Sequence, residues 1–169
     1  MTPPKWVAFN VAAREGERRA DDRNVMSYLR GAWAQHSGEG REVLAQFLRP
    51  DTTWSALAET YRNGEGRAVT LAQLLWVRGK AAALAEVKRV YLVLQDELDL
   101  GALEFFARSD FDRRRFKHDL PQALVTDEFS AYQERFRSLL GIDSERALRL
   151  LHKTQSAKNM GDLDTFLRD

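Results

Sequence analysis

Two β-rich runs on either side of a glycine-containing turn constrain the fold of this chain more than any other part of its sequence. The runs are TTWSALAETYRN and RAVTLAQLLWVRG, and residues 63–66, with the sequence NGEG, lie at their junction. Runs rich in β-branched and aromatic residues that flank a short glycine turn are typical of a β-hairpin. We therefore predict that the two runs pair as antiparallel strands.

The second run carries apolar residues on both of its faces, and a third run follows it. One face of the second run has Val69, Leu71, Leu75 and Val77, and the other has Leu74 and Trp76. This pattern predicts a strand that is covered on both sides near its end. EVKRVYLVLQDEL then repeats the period of two. We predict an α+β fold whose antiparallel three-stranded sheet spans about residues 53–94 and is flanked by helices.

After Asp99 the period of the apolar residues changes from two to 3.6, which indicates helices. Short helices are predicted at 100–107 and at 111–120, where Pro121 ends the second one. A longer helix is predicted from an apolar stripe closed by Gly141; the stripe consists of Phe129, Tyr132, Phe136, Leu139 and Leu140. Asp143 or Ser144 is predicted to cap a further helix, ERALRLLHKT.

The 169 residues fit one domain of ordinary size. We divide it into an irregular part over 1–50, which holds a short helix at DDRNVMSYLRGAW, a β-meander over 51–95 and a helical part over 96–169. The sequence contains no internal repeat and no low-complexity tract.

The charge balance and the absence of cysteine exclude several classes of protein. Lys and Arg number 26 against 25 Asp and Glu, so the net charge of +1 provides no global attraction to nucleic acid or membranes. Without cysteine there are no disulfides, thiol nucleophiles or zinc-thiolate sites. No apolar run is long enough for a signal peptide or for the roughly 20 residues of a bilayer span, so we expect a cytoplasmic protein.

Motifs of an autonomous active site are missing from the sequence. His36, His118 and His152 are far apart and do not have the spacing of metal ligands. The phosphate-loop pattern GxxxxGK[ST] does not occur, and the glycines of NGEG lie in a hairpin instead of a strand-to-helix turn. We expect no catalysis by this chain alone.

The densest positive segment is DRRRFKHD, which contains Arg113, Arg114, Arg115 and Lys117. Such a cluster can bind the phosphates of DNA. The alternative is a solvated helix face whose charges are balanced by Asp112 and Asp119. The sequence leaves both interpretations open.

Several long segments resemble the N-terminal head segment of the SMC-like ATPase of Wadjet systems, the JetC type, which is related to MukB. The resemblance covers nearly the whole chain in the same order, and the phosphate loop of the family is not present. The segments that carry it are WVAFNVAAREGERRADDRNVMSYLRGAW, FLRPDTTWSALAETYRNGEGRAVTLAQLLWVRG, RFRSLLGIDSERAL and LLHKTQSAKNMGDLDTFLRD.

The resemblance implies a partial lobe of an ATPase head, located between a phosphate loop and a coiled coil. In the full-length family, ATP and magnesium are bound between two heads that clamp DNA during loop extrusion and plasmid restriction. SYLRG is similar to the arginine-bearing loop of such heads, which nominates Arg30 as a contact to nucleotide or DNA; the alternative is that Arg30 caps the last carbonyls of its short helix. HKTQSAKNMG occupies the place of the Q-loop, which nominates Gln155 and its neighbour Lys158; the alternative is that Gln155 only satisfies backbone groups of its loop.

The resemblance also implies partners: the remainder of the head, its coiled coil, kleisin-type subunits and DNA. ATP and magnesium are expected only in the full-length context. The alternative function is a stand-alone DNA-binding or adaptor module without ATPase activity, in which DRRRF binds phosphates.

Overall fold

The computed structural model of the protein describes residues 25–34, 46–144 and 146–147. The chain divides into two compact units: one is Arg23–Phe136, and the other combines Met1–Asp22 with Arg137–Asp169. The elements, in chain order, are α1 (Val25–Arg30), β1 (Ala32–Ala34), β2 (Gln46–Phe47), β3 (Thr53–Arg62), β4 (Ala68–Val77), β5 (Lys88–Leu94), α2 (Glu104–Arg108), α3 (Phe116–Asp119), β6 (Leu124–Thr126) and α4 (Phe129–Leu140). Turns of 3₁₀ helix lie at Leu84–Glu86, Leu100–Leu103 and Arg113–Arg115.

The main sheet has four antiparallel strands in the order β3, β4, β5, β6, and a separate small ribbon pairs β1 with β2. The α+β class and the antiparallel meander are confirmed, but the prediction of three strands is wrong. The additional strand, β6, pairs with β5 through Tyr91 and Thr126. It was missed because three residues are too few to show an alternating pattern, and the pairing depends on a partner about 35 residues away.

The predicted hairpin joins β3 to β4 without a shift in register, from Thr53 opposite Val77 to Arg62 opposite Ala68. The turn is held by Asn63, whose side-chain oxygen accepts hydrogen bonds from the backbone N–H groups of Glu65 and Arg67, both at 3.0 Å. Gly66 has a φ of +79°, which glycine adopts without strain. The sequence NGEG therefore supplies both the acceptor and the conformational freedom that the turn requires.

One face of the sheet forms the main core with the helices that follow Asp99. The central members on the strands are Leu74, Trp76 and Leu92, and the helical members are Phe106 and Phe116. The ring of Trp76 meets Phe106 edge-on, with centroids 5.2 Å apart. The predicted short helices after Asp99 are confirmed, and their aromatic side chains explain the change of period there.

The opposite face of the sheet is covered as well, because Leu71, Leu75 and Val77 are buried on it. Helix α4 packs there: Tyr132 stacks on Tyr91 of β5 with centroids 4.9 Å apart. Both faces of β4 are thus covered, as its apolar pattern predicted. The short helix predicted near residue 25 is confirmed as α1, and its residues Val25, Met26 and Leu29 are buried.

Helix α4 ends as predicted. Gly141 has a φ of +66°, and the N–H of Ile142 donates to the carbonyl of Arg137 at 2.9 Å, which is the six-to-one bond of a Schellman cap. Ser144 is the cap that follows, since its hydroxyl accepts from the N–H of Ala147 at 3.1 Å. Among the described helices, none combines the length and the apolar character that crossing a bilayer requires.

Candidate functional site

Arg30, nominated as a nucleotide or DNA contact, is the last residue of α1 and is only 1% exposed. All three guanidinium nitrogens donate hydrogen bonds to backbone carbonyls. The acceptors are the carbonyl oxygens of Arg49 (2.8 Å), Pro50 (2.7 Å), Asp51 (3.0 Å), Gly79 (2.7 Å) and Ala81 (2.8 and 2.5 Å). We call this ring of carbonyls the Arg30 socket.

Helix α1 ends at Arg30, and this end brings the segment around residue 49 next to it. Gly31 follows with a φ of +65°, and the backbone N–H of Arg49 donates to the carbonyl of Arg30 at 3.0 Å. The ring of Phe47 lies 5.7 Å from the guanidinium carbon and covers it. The loops before β3 and after β4 therefore close around one cation.

A buried charge is stable only when its hydrogen-bonding groups are satisfied, and carbonyl dipoles do this for Arg30. Within the described part of the chain no carboxylate lies within salt-bridge distance of it. As placed here, the guanidinium is committed to holding two loops together. A contact between Arg30 and nucleotide or DNA stays a prediction.

The basic cluster of Arg113, Arg114, Arg115 and Lys117 lies on the surface at the 3₁₀ turn and α3. Each arginine pairs with a different carboxylate. The pairs are Arg113 with Asp127 (2.7 Å), Arg114 with Asp112 (3.1 Å) and Arg115 with Asp119 (3.1 Å).

Hydrogen bonds from neighbouring side chains lower the pKa values of two carboxylates in this cluster. Arg114 lowers the pKa of Asp112 through its side chain and its backbone N–H, so Asp112 is ionised at neutral pH. The pKa of Asp119 is lowered by His118 and by Arg115. Both carboxylates therefore keep their charge and compete with phosphates for the arginines.

Lys117 is exposed and has no hydrogen-bond or salt-bridge partner among the described residues. Four cations thus face three carboxylates, which leaves a local charge of +1. Arg114 still has 88% of its side chain exposed, so its pair is readily exchanged with solvent. The face is solvated, and its three arginines are paired with carboxylates. Binding of DNA phosphates by this cluster stays a prediction.

The structure does not bring the nominated residues into one site. The Arg30 socket is formed by loops beside β3 and β4, whereas the basic cluster is attached to the main core through Phe116. Gln155 and Lys158 lie outside the described residues. No group of three or more metal-binding side chains occurs in the described part of the chain.

Sequence reasoning missed a polar group on the sheet face that α4 covers. Gln73 of β4 is 4% exposed and Tyr132 of α4 is 1% exposed, and neither the amide nitrogen nor the phenol oxygen has a hydrogen-bond partner among the described residues. The Nε of Arg89 is also buried, and no described residue bonds to it. All three groups can donate a hydrogen bond. Gln73 lies directly opposite Tyr91 in the sheet.

Glu59 and Tyr61 of β3 extend this polar group. The hydroxyl of Tyr61 donates to the carboxylate of Glu59 at 3.1 Å. Burial raises the pKa of Glu59, and the hydrogen bond from Tyr61 opposes that shift. Burial raises the pKa of Tyr132 well above its ordinary value, and the nearby carboxylate of Glu59 adds to the shift, so the phenol stays neutral.

A signal for this group is present in the sequence: Gln73 is the one amide in the otherwise apolar run LAQLLWV. A buried donor without an acceptor destabilises the fold by about 1–3 kcal/mol. A hydrogen bond from these donors to an acceptor oxygen, such as that of a water molecule, offsets this cost.

Comparison of the sequence with protein-family models and with curated proteins finds no match in either.

Proposed function

We propose that the chain is an accessory lobe of an SMC-like ATPase head of the Wadjet JetC type. In this role it supplies architecture and contacts, and the rest of the head supplies the phosphate loop, ATP and magnesium. Its partners are the remaining head segments with their coiled coil, kleisin-type subunits and DNA, and its location is the cytoplasm.

One observation carries the proposal. Two of the segments that resemble the family, the one ending in SYLRGAW and the one containing both strands of the hairpin, are bonded to each other through Arg30. Arg30 belongs to the first segment, and its acceptors Arg49 and Gly79 both lie in the second. The resembling segments thus support each other physically, as parts of one lobe would.

The glycine turn of the hairpin is not built as a phosphate loop. The glycine-rich loop at 63–66 is closed on itself by Asn63 and has no helix after it to direct amides at a phosphate. Nucleotide affinity in phosphate-loop ATPases comes mainly from the loop amides, its lysine and the bound magnesium. Those groups have to come from another segment.

Titration calorimetry of the purified chain with Mg-ATP tests the proposal, together with translation of the flanking DNA. We expect no binding in the micromolar range, an upstream GxxxxGKS and downstream heptads. In the joined head, Gln155→Ala should reduce turnover more than nucleotide affinity, because a group that orients water and magnesium acts chiefly in the transition state. Micromolar ATP binding by the isolated chain, or flanks without these motifs, would overturn the proposal.

A second candidate is a stand-alone DNA-binding or adaptor module. Two features favour it: Arg114 is exposed, and Lys117 has no partner among the described residues. This candidate predicts salt-sensitive DNA retention by the isolated chain, and flanking frames that encode no ATPase head.

A further inference from the structure

Among the described residues, no strand pairs with the outer edge of β3. The direction of the backbone groups along this edge follows from the turn. The N–H of Asn63 donates to the carbonyl of Arg67 at 3.1 Å, so this pair directs its backbone groups toward each other. Antiparallel ladders alternate such pairs with pairs that point away. With the unbroken register of β3 and β4, the outward residues of β3 are the even-numbered ones: Trp54, Ala56, Ala58, Thr60 and Arg62.

This edge lacks three of the devices that usually block pairing, although Glu59 and Arg62 of β3 are charged. The ten residues of β3 contain no proline, no lysine and no shift of register. Within the described part of the chain, no backbone or side-chain group bonds to the outward N–H and C=O groups. The side chains of Trp54, Ala56 and Ala58 are only partly buried against the main core, so an added strand would cover them further.

The sequence of β3 is complementary to itself in an antiparallel arrangement centred on Ala58. Pairing two copies there places Ala58 opposite Ala58, where the small side chains allow close approach. Trp54 of one copy then faces Arg62 of the other, in a cation–π pair whose exposed guanidinium also pairs with Glu97 of its own chain at 2.7 Å. Leu57 faces Glu59, so no like charges meet. Even-numbered residues pair with even-numbered ones, which satisfies the outward backbone groups of both strands.

We propose that two copies of this chain associate through their β3 edges, centred on Ala58, to form one continuous eight-stranded sheet with two-fold symmetry. The interface is isologous and closed, because each β3 offers the same edge to its partner. The association is independent of nucleotide and of the basic cluster, so it can fail or hold whatever the outcome of the ATP titration.

Sedimentation of the full chain over a wide range of concentrations tests this, with Ala58→Pro as the first variant. The N–H of Ala58 points away from β4, so proline removes an outward donor and obstructs an added strand while the β3–β4 ladder is kept. We expect the parent chain to dimerise with concentration and the variant to remain monomeric with a folded spectrum. A parent that stays monomeric throughout, or a folded Ala58→Pro variant that dimerises as the parent does, overturns the proposal.

A matched pair at Leu57 fixes the register and does not depend on the proline variant folding. In this register residue 57 of each copy faces Glu59 of the other copy. Leu57→Glu therefore creates two pairs of like charge across the two-fold axis, whereas Leu57→Lys creates two pairs of opposite charge. We expect the dissociation constants of the two dimers to differ by roughly tenfold or more, with the lysine variant tighter. Equal dissociation constants, or a weaker lysine variant, contradict the Ala58-centred pairing. Thermal melting of both monomers checks that the substitutions leave the fold comparable.

Discussion

The carbonyl of Ala81 accepts two hydrogen bonds from Arg30, at 2.8 Å from Nε and 2.5 Å from Nη2, although 51 residues separate the two in sequence. The same guanidinium bonds the loop before β3 through Nη1. One buried cation thus joins three parts of the chain. Its effect is on the stability of the fold, and it needs no bound ligand.

Arg30→Met should destabilise the protein by at least about 3 kcal/mol, because it leaves several buried carbonyls without donors. Arg30→Lys should recover only part of this loss, since an ammonium group cannot reproduce the planar fork of donors. The midpoint of urea unfolding measures both effects.

Arg49→Met is the control. Arg49 is exposed and its side-chain hydrogen bonds are long, at 3.3 and 3.5 Å, so we expect a loss of stability of less than about 1 kcal/mol. An unchanged midpoint for Arg30→Met would show that the socket does not stabilise the fold.

The hairpin and the socket differ in how far the sequence predicts them. The hairpin depends on local signals, the alternation of β3 and β4 and the turn residue Asn63, and these stand next to each other in the chain. The socket depends on carbonyls, which every residue carries, so nothing in the sequence marks Gly79 or Ala81 as acceptors. Arg30 was singled out by its resemblance to a functional loop, and only the structure shows where its donors are directed.

Leu71→Asp should unfold the chain. Leu71 is 6% exposed on the sheet face opposite the main core, and a carboxylate there would be buried without a partner, at a cost of several kcal/mol. Leu84→Asp is the matched control, because Leu84 lies in an exposed 3₁₀ turn and is 42% exposed. Circular dichroism and thermal melting distinguish the two. A soluble Leu71→Asp variant with the parental melting curve would contradict the position of β4 between two covered faces.

Glu59→Gln should stabilise the protein at neutral pH by less than about 1 kcal/mol, since the carboxylate is partly solvated. Burial raises the folded-state pKa of Glu59 above its ordinary value of 4.5, so folding disfavours the charged form. The stability that the protonated acid contributes is fully present below the unfolded pKa and is lost as pH rises through the folded pKa. The advantage of glutamine should therefore disappear below about pH 4.

Unfolding midpoints at pH 7 and at pH 4 measure the effect of Glu59→Gln. Glu65→Gln serves as the control, because Glu65 lies in the exposed hairpin turn with 70% of its side chain accessible. A Glu59→Gln variant that is less stable than the parent at pH 7 would indicate that the bond from Tyr61 to the carboxylate outweighs the burial of its charge.

The polar group around Gln73 was only partly predictable. Its strand and its burial follow from the apolar run of β4, and one amide in that run is visible in the sequence. Its neighbours Arg89 and Tyr132 join it through the pairing of β5 and the packing of α4, which are long-range relationships. Periodicity assigns each side chain to a face, but it does not tell which donors on that face will lack acceptors.

DNA binding by the basic cluster should be limited by its own carboxylates. Four phosphate contacts would give a log-log salt slope of about −3.6, and pairing of the three arginines with Asp112, Asp119 and Asp127 should make the slope of the parent shallower. Changing these three aspartates to asparagine keeps acceptors for the local hydrogen bonds and frees the cations. This variant should bind DNA more tightly and approach the full slope, whereas alanine at Arg113, Arg114, Arg115 and Lys117 should abolish retention.

Arg67→Ala, at an exposed arginine of the hairpin turn, controls for a general change of charge. If neither cluster variant alters DNA retention or its salt slope, the face is merely solvated, and any DNA contact of this protein lies elsewhere.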